Sequence, residues 1–339
     1  MAVRLKDIAH DLGLSTVTVS KVLRGNKDIG EKTRARVLKR MQEVNYKPNM
    51  LARGLASGRT YTMGLVVPDL VHPFFAEFAK SIAGVLRKSH IALLLVSSEE
   101  DPELEQQEIR TLLRRGVDVL LIASSQARLS NFYELGDERT PYLLVDRNFP
   151  YLSAHFVGSD DYRIGCIATE HLIAIGRKRI AHIGGRAMSP SLERMRGYRD
   201  TLLANRMEVR DNLVVTRERM EETGDLAGRE AMLSLLKLRK RPDAVFCYND
   251  LTAIGAMEAV REAGLRIPED VAFVGCGNLR YAKYLRTALT SVDQQPEVLG
   301  IRAGELALEL FSKPDTPVRT VLLEPRLIVR ESSAPRTVA

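Results

Sequence analysis

Twice between residues 61 and 332 the chain runs through the same alternation of continuous apolar stretch and amphipathic helix, and that repetition excludes most folds. The first pass reads TMGLVVP, a helix over 74–89, IALLLVS, a helix over 103–115, VDVLLIAS, a helix near 129–138 and YLLVDR. The second reads FVGSD, a helix over 162–176, RIAHIGG, a helix near 191–204, NLVVT, a helix near 225–238, DAVFCYN, a helix near 250–264 and VAFVGCG. Strands that are apolar along their whole length must be buried on both faces, and the intervening helices supply the cover. Residues 60–339 are therefore expected to form an α/β body of two doubly wound, parallel-sheet lobes. LTSVDQ and a helix over 297–312 are expected to return to the first lobe, with VLLE and RLIVRE crossing to end in the second. That places lobe one at about 60–160 and 291–321, and lobe two at about 161–290 and 322–332.

The first sixty residues differ in kind. They hold thirteen Lys and Arg against five Asp and Glu, while the remainder holds 37 against 38, so this small segment carries +8 and the rest −1 of the net charge of +7. Such concentration is the electrostatic footprint of a nucleic-acid-binding module joined to a neutral body. A solvated basic face would look the same by charge alone; the pattern beneath it decides. Leu5, Ile8, Ala9 and Leu12 recur at helical spacing and stop at Gly13. The Ser15 hydroxyl is placed to cap a second helix beginning at Thr16, with Thr18 where a capping box has Glu. In that helix Val19, Val22 and Leu23 form an inward stripe and leave Thr16, Val17, Ser20, Lys21 and Arg24 outside. A third helix over 31–44 turns Val37, Leu38, Met41 and Val44 toward the first two. Residues 1–46 thus read as an all-α helix-turn-helix head, whose second helix enters a major groove. Residues 47–59 form a hinge and linker. Its amphipathic stretch from Asn49 to Ala56 is too short to hold as a free helix, so it should fold only on a partner.

Composition removes other classes. The chain opens on a polar, helix-periodic segment and has no apolar run of membrane-spanning length, which predicts a cytoplasmic protein with no membrane partner. Cys166, Cys247 and Cys276 are odd in number and far apart, and the six histidines form no i, i+4 pair, so neither disulfides nor a metal are expected. No G-x-S-x-G elbow, P-loop or G-x-G-x-x-G follows a strand. No catalytic residue, cofactor or enzymatic activity is expected.

The runs LKDIA, S-x-x-T-V-S-K-V and NYKPN...LA, with the two-lobed body behind them, resemble the LacI/GalR family of bacterial transcription regulators over nearly the whole chain. The resemblance implies a body of the type I periplasmic-binding-protein fold. It also implies a repressor that binds a palindromic double-stranded DNA operator as a homodimer, with affinity set by a small-molecule effector such as a sugar or related metabolite. By that likeness Thr16, Val17 and Lys21 face base edges and Leu55 is the hinge leucine wedged between base steps from the minor groove. The chemistry agrees: Lys21 donates to guanine O6 and N7, Thr16 bonds to either kind of edge, and the Val17 methyls meet a thymine methyl. Ser15, Ser20, Asn49 and Arg53 are assigned to the phosphate backbone, which positions without specifying.

Ligands of doubly wound sheets sit beyond the carboxyl ends of the strands. The resemblance selects Phe74, Asp146, Arg194 and Asn249 from those ends; Asp161 and Asn278 lie there too. For Phe74 a plain core contact, and for Asp146 a cap or interlobe ion pair, are the competing roles. The chain departs from the family at Arg4 and Gly30, which lack the side chains that cap the helices they precede, and at VAFVGCGN, where Cys276 and Gly277 replace an aromatic residue and an effector-binding Asp. Either the ligand differs from the usual sugars and purines, or Asp161, Asn278 or another residue substitutes, or no effector is used. An effector-independent regulator is the nearest alternative; a solute-binding protein or an enzyme on the same body is remote.

Overall fold

A computed structural model describes residues 3–23, 28–46, 58–126, 132, 135, 140–149, 151–216 and 224–334. Met1–Thr60 and Tyr61–Ala339 are separate compact units. The expected hinge helix, with Asn49, Arg53 and Leu55, lies outside the described residues, as does most of the helix expected near 129–138.

In the first unit, α1 (Leu5–Leu12), α2 (Thr16–Leu23) and α3 (Glu31–Glu43) close around Ile8, Ala9, Val19, Val22, Val37 and Met41. Gly13 takes the left-handed conformation, φ 61°, that lets the Leu14 amide bond back to the Ala9 carbonyl at 2.9 Å. Arg4 offers no side-chain cap, but Asp7 accepts its backbone N–H at 2.8 Å, so part of the capping deficit is met from inside the helix. Arg40 reaches from α3 to Asp11 of α1 at 2.6 Å. Leu23 and Leu38, expected inward, are 38% and 45% exposed. Val19 and Val22 already fill α2's inward stripe and Val37 and Met41 that of α3, and the next residue of each helix turns about 100° away.

The body contains two six-stranded sheets. The first comprises β1 (Thr62–Val67), β2 (Ala92–Ser97), β3 (Val119–Ile122), β4 (Tyr142–Val145), β5 (His155–Ser159) and β11 (Thr320–Leu323), in the order β11-β5-β4-β3-β1-β2 and parallel throughout. The second comprises β6 (Ile180–Gly184), β7 (Val214–Thr216), β8 (Ala244–Cys247), β9 (Ala272–Cys276), β10 (Thr290–Asp293) and β12 (Arg326–Ile328), in the order β12-β10-β9-β8-β6-β7. Only β12 is antiparallel. Helices α4 (Pro73–Lys88), α5 (Pro102–Arg114) and α10 (Pro296–Ser312) belong with the first sheet; α6 (Asp161–Ala174), α7 (Ser189–Ala204), α8 (Gly224–Leu236) and α9 (Asp250–Glu262) belong with the second.

The crossings differ from expectation in detail. LTSVDQ does not return to the first lobe: β10 pairs with β9, and the return is made by α10. VLLE does not end in the second lobe either, since β11 pairs with β5 and only β12 crosses back. An apolar strand of four residues carries no mark of which sheet it joins. The three crossings are laced together: Ser159 donates to the Gln294 carbonyl at 3.3 Å, Asp160 N–H to Leu323 at 3.0 Å, and Gln295 Nε2 to Glu324 at 2.8 Å.

Glycines set the helix spacing in the second lobe. A Cβ on Gly165 of α6 would lie 2.2 Å from the Arg194 carbonyl oxygen of α7, and one on Gly197 would lie 2.2 Å from that of Tyr162. The two backbones therefore touch at a distance that only glycine permits.

Candidate functional site

Two surfaces carry the sequence-nominated residues. On the head, Ser15 Oγ accepts the Thr18 amide at 3.1 Å and shares a 2.9 Å hydroxyl contact with Thr18, so it caps α2 as its position predicts. The cap leaves Ser15, Thr16 and Val17 exposed on the first turn, and Val17 is 60% exposed while Val19 and Val22 on the same helix are buried. Ser20 and Lys21 are half-buried on the same helix. Lys21 Nζ is paired with Asp28 at 2.5 Å, a partner that helical periodicity could not reveal because Asp28 lies in the loop before α3.

In the body, the carboxyl ends of the strands converge between the lobes. Arg194, on α7, is fully enclosed. It donates through Nε and Nη2 to Asp161 Oδ1 at 2.9 and 2.8 Å, and through Nη1 to the Tyr248 carbonyl at 2.7 Å, with its guanidinium 4.8 Å from the centre of the Tyr248 ring. Burial disfavours the Arg194 charge, but the Asp161 and Asp146 carboxylates around it hold its pKa above the ordinary arginine value. Burial pushes the Asp161 carboxyl up, against the pull of Arg194. Asp146, in a left-handed turn at φ 61°, is 3.9 Å from Arg147. Arg147 in turn donates to the Ser124 carbonyl at 3.2 Å and lies 3.8 Å from Glu100. Asp146, Asp161 and Arg194 thus form one electrostatic group. Tyr248, next to Asn249 at the end of β8, is the member that sequence reasoning missed; its carbonyl and ring do the holding, and neither leaves a compositional signal.

Asn249 caps α9, accepting the Thr252 amide at 2.9 Å, and its Nδ2 lies 3.5 Å from His72 Nε2 of the first lobe. Two more hydrogen bonds join the lobes, Asn148 N–H to Ser189 Oγ at 2.9 Å and Arg186 to the Glu100 carbonyl at 2.9 Å. Beside them a cavity of about 510 Å³ is lined by Asn148, Phe149 and Ser159 from one lobe and Asp161, Met188 and Leu192 from the other.

Phe74 and Asn278 do not join this group. Phe74 packs in the first-lobe core, edge-on to Phe75 at 5.1 Å and stacked on Phe78 at 6.2 Å. The Asn278 amide is held by Arg330 at 2.5 Å and Asp293 at 3.3 Å, a cross-strand brace. Gly277 has φ 120°, a backbone state that disfavours any side chain, although a Cβ there would meet Leu279 and Asp250 only at ordinary contact distances of 3.8 and 3.9 Å. Its neighbour Asp250 is fully buried, accepts Ser291 at 2.6 Å and the Leu279 amide at 2.7 Å, and burial pushes its pKa up to about 6. Burial also raises the Cys276 thiol, which leaves it protonated and unreactive. Among the described residues no His, Cys, Asp and Glu cluster could hold a metal, and no helix is long and apolar enough to cross a membrane.

Residues 4–49 match the profile of bacterial regulatory proteins of the lacI family, and residues 169–333 match the periplasmic binding protein-like domain. The ribose operon repressor of Haemophilus influenzae is 32% identical over 329 residues, covering 97% of this chain and 98% of its own. The transcriptional regulator GalR of Salmonella typhimurium is 32% identical, covering 97% and 95%. Among solved structures, a complex of the regulator CelR with cellobiose is 30% identical, with a TM-score of 0.72 over 97% of this chain and 99% of that one. The Lac repressor bound to ONPG reaches a TM-score of 0.84 over 98% and 100% at 23% identity, a likeness of fold.

Proposed function

The chain belongs to the lacI family of bacterial regulatory proteins, and from that membership we propose that it represses transcription by binding a palindromic operator as a homodimer, with affinity modulated by a small polyhydroxylated effector between its lobes. It is a regulator of transcription and not an enzyme, as its relatives are. The proposal places it in the cytoplasm with its DNA. The observation that carries the reading is Val17: an apolar side chain left 60% exposed on the first turn of a capped helix, beside Thr16, has the methyls that meet a thymine methyl in the major groove. Lys21 donates to guanine, once released from Asp28, while Ser15, Ser20, Asn49 and Arg53 meet phosphates and Leu55 enters the minor groove. Two heads on half-sites about 34 Å apart require a dimer. Exposed Leu70, Val71 and Leu95 on the β1 and β2 side of the first lobe supply apolar surface for one.

In the cleft, Asp146, Asp161, Arg194 and Asn249 supply the fixed donors and acceptors that hydroxyl groups need. Gly277 contributes no side chain, so recognition rests on these four. Closure of the lobes would change the spacing of the two hinge segments, which order only when held together on DNA.

The test begins with a duplex selected by the protein from a randomised pool. Lys21→Ala should lower discrimination between that duplex and random DNA by about 1–3 kcal/mol, whereas a phosphate contact such as Arg53→Ala should weaken both alike. Equal losses on both duplexes for Lys21→Ala would remove Lys21 from base reading. A thermal-shift screen against sugars and sugar phosphates tests the effector, since a ligand of the folded state raises the melting temperature. Silence across the panel would favour a regulator that uses no effector.

A further inference from the structure

The amino ends of β6 and β8 carry a second concentration of positive charge, outside the head. Lys178, Arg206, Lys237, Arg239, Lys240 and Arg241 are all exposed there; among the described residues none of the six side chains makes a hydrogen bond or close ion pair, and only Arg241 lies within electrostatic reach of an acid, Asp270. They are brought together by the fold. Arg179 donates to the Lys240 and Arg241 carbonyls, tying the segment before β6 to the segment before β8, and the Asp243 carboxylate accepts the Lys178 and Arg179 amides. Between these segments opens a polar cavity of about 590 Å³, lined in part by Arg210, Asn212, Arg239 and Lys240.

Two ordinary explanations fall short. The nearby acids are already engaged: Glu208 by Arg210 at 2.7 Å, Asp211 by Arg199 at 3.2 Å, Asp270 by Arg266 at 3.2 Å, and Asp243 by the backbone amides. The carboxyl termini of α6, α7 and α8 come to this end of the lobe and favour cations. Three helix ends carry only about one and a half negative charges together, however, against five cations with no acid beside them. A surplus of several charges remains on a body that is otherwise close to neutral.

We propose that this pole of the second lobe is a sequence-independent docking surface for the phosphate backbone of a second DNA duplex. Long, solvated, unpaired cations spread over adjacent segments around a polar cavity are what a row of phosphates requires. A protein interface of that size would need an apolar core, and the cavity has no aromatic residue and only Val209 and Leu238 as apolar lining. Because the head belongs to a DNA-binding family, other segments of the same DNA lie at high effective concentration around a bound molecule. The chain would then hold two duplexes, one read by the head and one gripped at this pole.

The test uses the full chain tethered to a surface. A selected operator duplex in one colour saturates the heads, and a random duplex in a second colour is then titrated over a range of salt. Wild type should capture the second duplex. The triple charge reversal Lys237→Glu, Arg239→Glu, Lys240→Glu should weaken that capture about tenfold or more and flatten its salt dependence by about 2.7 in logarithmic slope. Operator binding and melting temperature should be unchanged. Equal capture by wild type and variant would overturn the proposal, as would a preference for poly-glutamate over duplex at matched charge. Because the two colours are read separately, failure of the operator to bind would speak against the head, while the random duplex would still report on the pole.

Discussion

Replacing Gly165 with Ala should uncouple the cleft from the scaffold that holds it. The added methyl would begin 2.2 Å from the Arg194 carbonyl oxygen and 3.0 Å from the Tyr198 nitrogen, both backbone atoms of α7. A carbon and an oxygen need roughly 1 Å more than that, so α6 and α7 must part by about 1 Å. Asp161 stands on α6 and Arg194 on α7, and their hydrogen bonds of 2.8 and 2.9 Å cross this same junction. Stretched by that distance they pass out of hydrogen-bond range. Overpacking costs about 1–3 kcal/mol, and a lost hydrogen bond between charged groups about 1.5–3 kcal/mol. A loss near 3 kcal/mol would lower the melting temperature of a unit this size by about 6–12 °C. Calorimetry of the full chain reads that number. Gly84→Ala is the control: it makes the same chemical change mid-helix with nothing within 4 Å of the new methyl, and should stabilise by about 0.5–1 kcal/mol. If Gly165→Ala melts with wild type, the glycine contact does not set the position of Arg194.

Three further outcomes follow. Asp28→Ala removes both a negative charge and the competitor for Lys21; an exposed pair is worth at most about 1 kcal/mol, so DNA affinity should rise by up to about fivefold in anisotropy titrations, and a fall would refute the competition. Asp250 binds its proton more tightly folded, at about 6, than its ordinary 3.8, so its contribution to stability is present below pH 3.8 and is lost as pH rises through about 6. That loss amounts to about 3 kcal/mol, and urea melts from pH 4 to 7 should show a downward slope in wild type that Asp250→Asn lacks. Gly277→Asp, which supplies the Asp that the family resemblance implies at this place, should destabilise by about 1–3 kcal/mol because φ is 120°; a gain of ligand affinity at unchanged stability would contradict this.

Much of this architecture was legible because its signals are local or periodic. Strands buried on both faces announce themselves as unbroken apolar runs, and Gly13 and Ser15 mark helix ends by conformation and capping chemistry that involve near neighbours alone. Most of the failures are long-range. Sheet membership of β10 and β11 depends on pairing with residues far away in the chain, and nothing in TSVD or TVLL records it. Leu23 and Leu38 look inward on a helical wheel, but the stripes beside them were already full. In the cleft, Asp146, Asp161 and Arg194 could be nominated from strand and helix ends; that Arg194 closes on Asp161 and the Tyr248 carbonyl could not. Asn278 shares their sequence context and is claimed instead by Arg330, some fifty residues on. Charge counting located the head and overlooked the pole near β6 and β8, where acidic residues elsewhere in the body cancel the total.

The three laced crossings have a consequence for how this protein can change by recombination. Neither lobe is a continuous stretch of chain: the first sheet is completed by β11 and the second by β10 and β12, so each lobe ends inside the other. A gene fragment ending near residue 290 would leave the first sheet without its edge strand and α10, and the second without β10 and β12. Grafting one lobe from a relative therefore means exchanging several separate segments at once, with the three junctions around residues 159–161, 293–296 and 323–326 matched to one another. The two lobes can therefore be exchanged only as a pair, whereas single substitutions within the cleft leave both sheets complete.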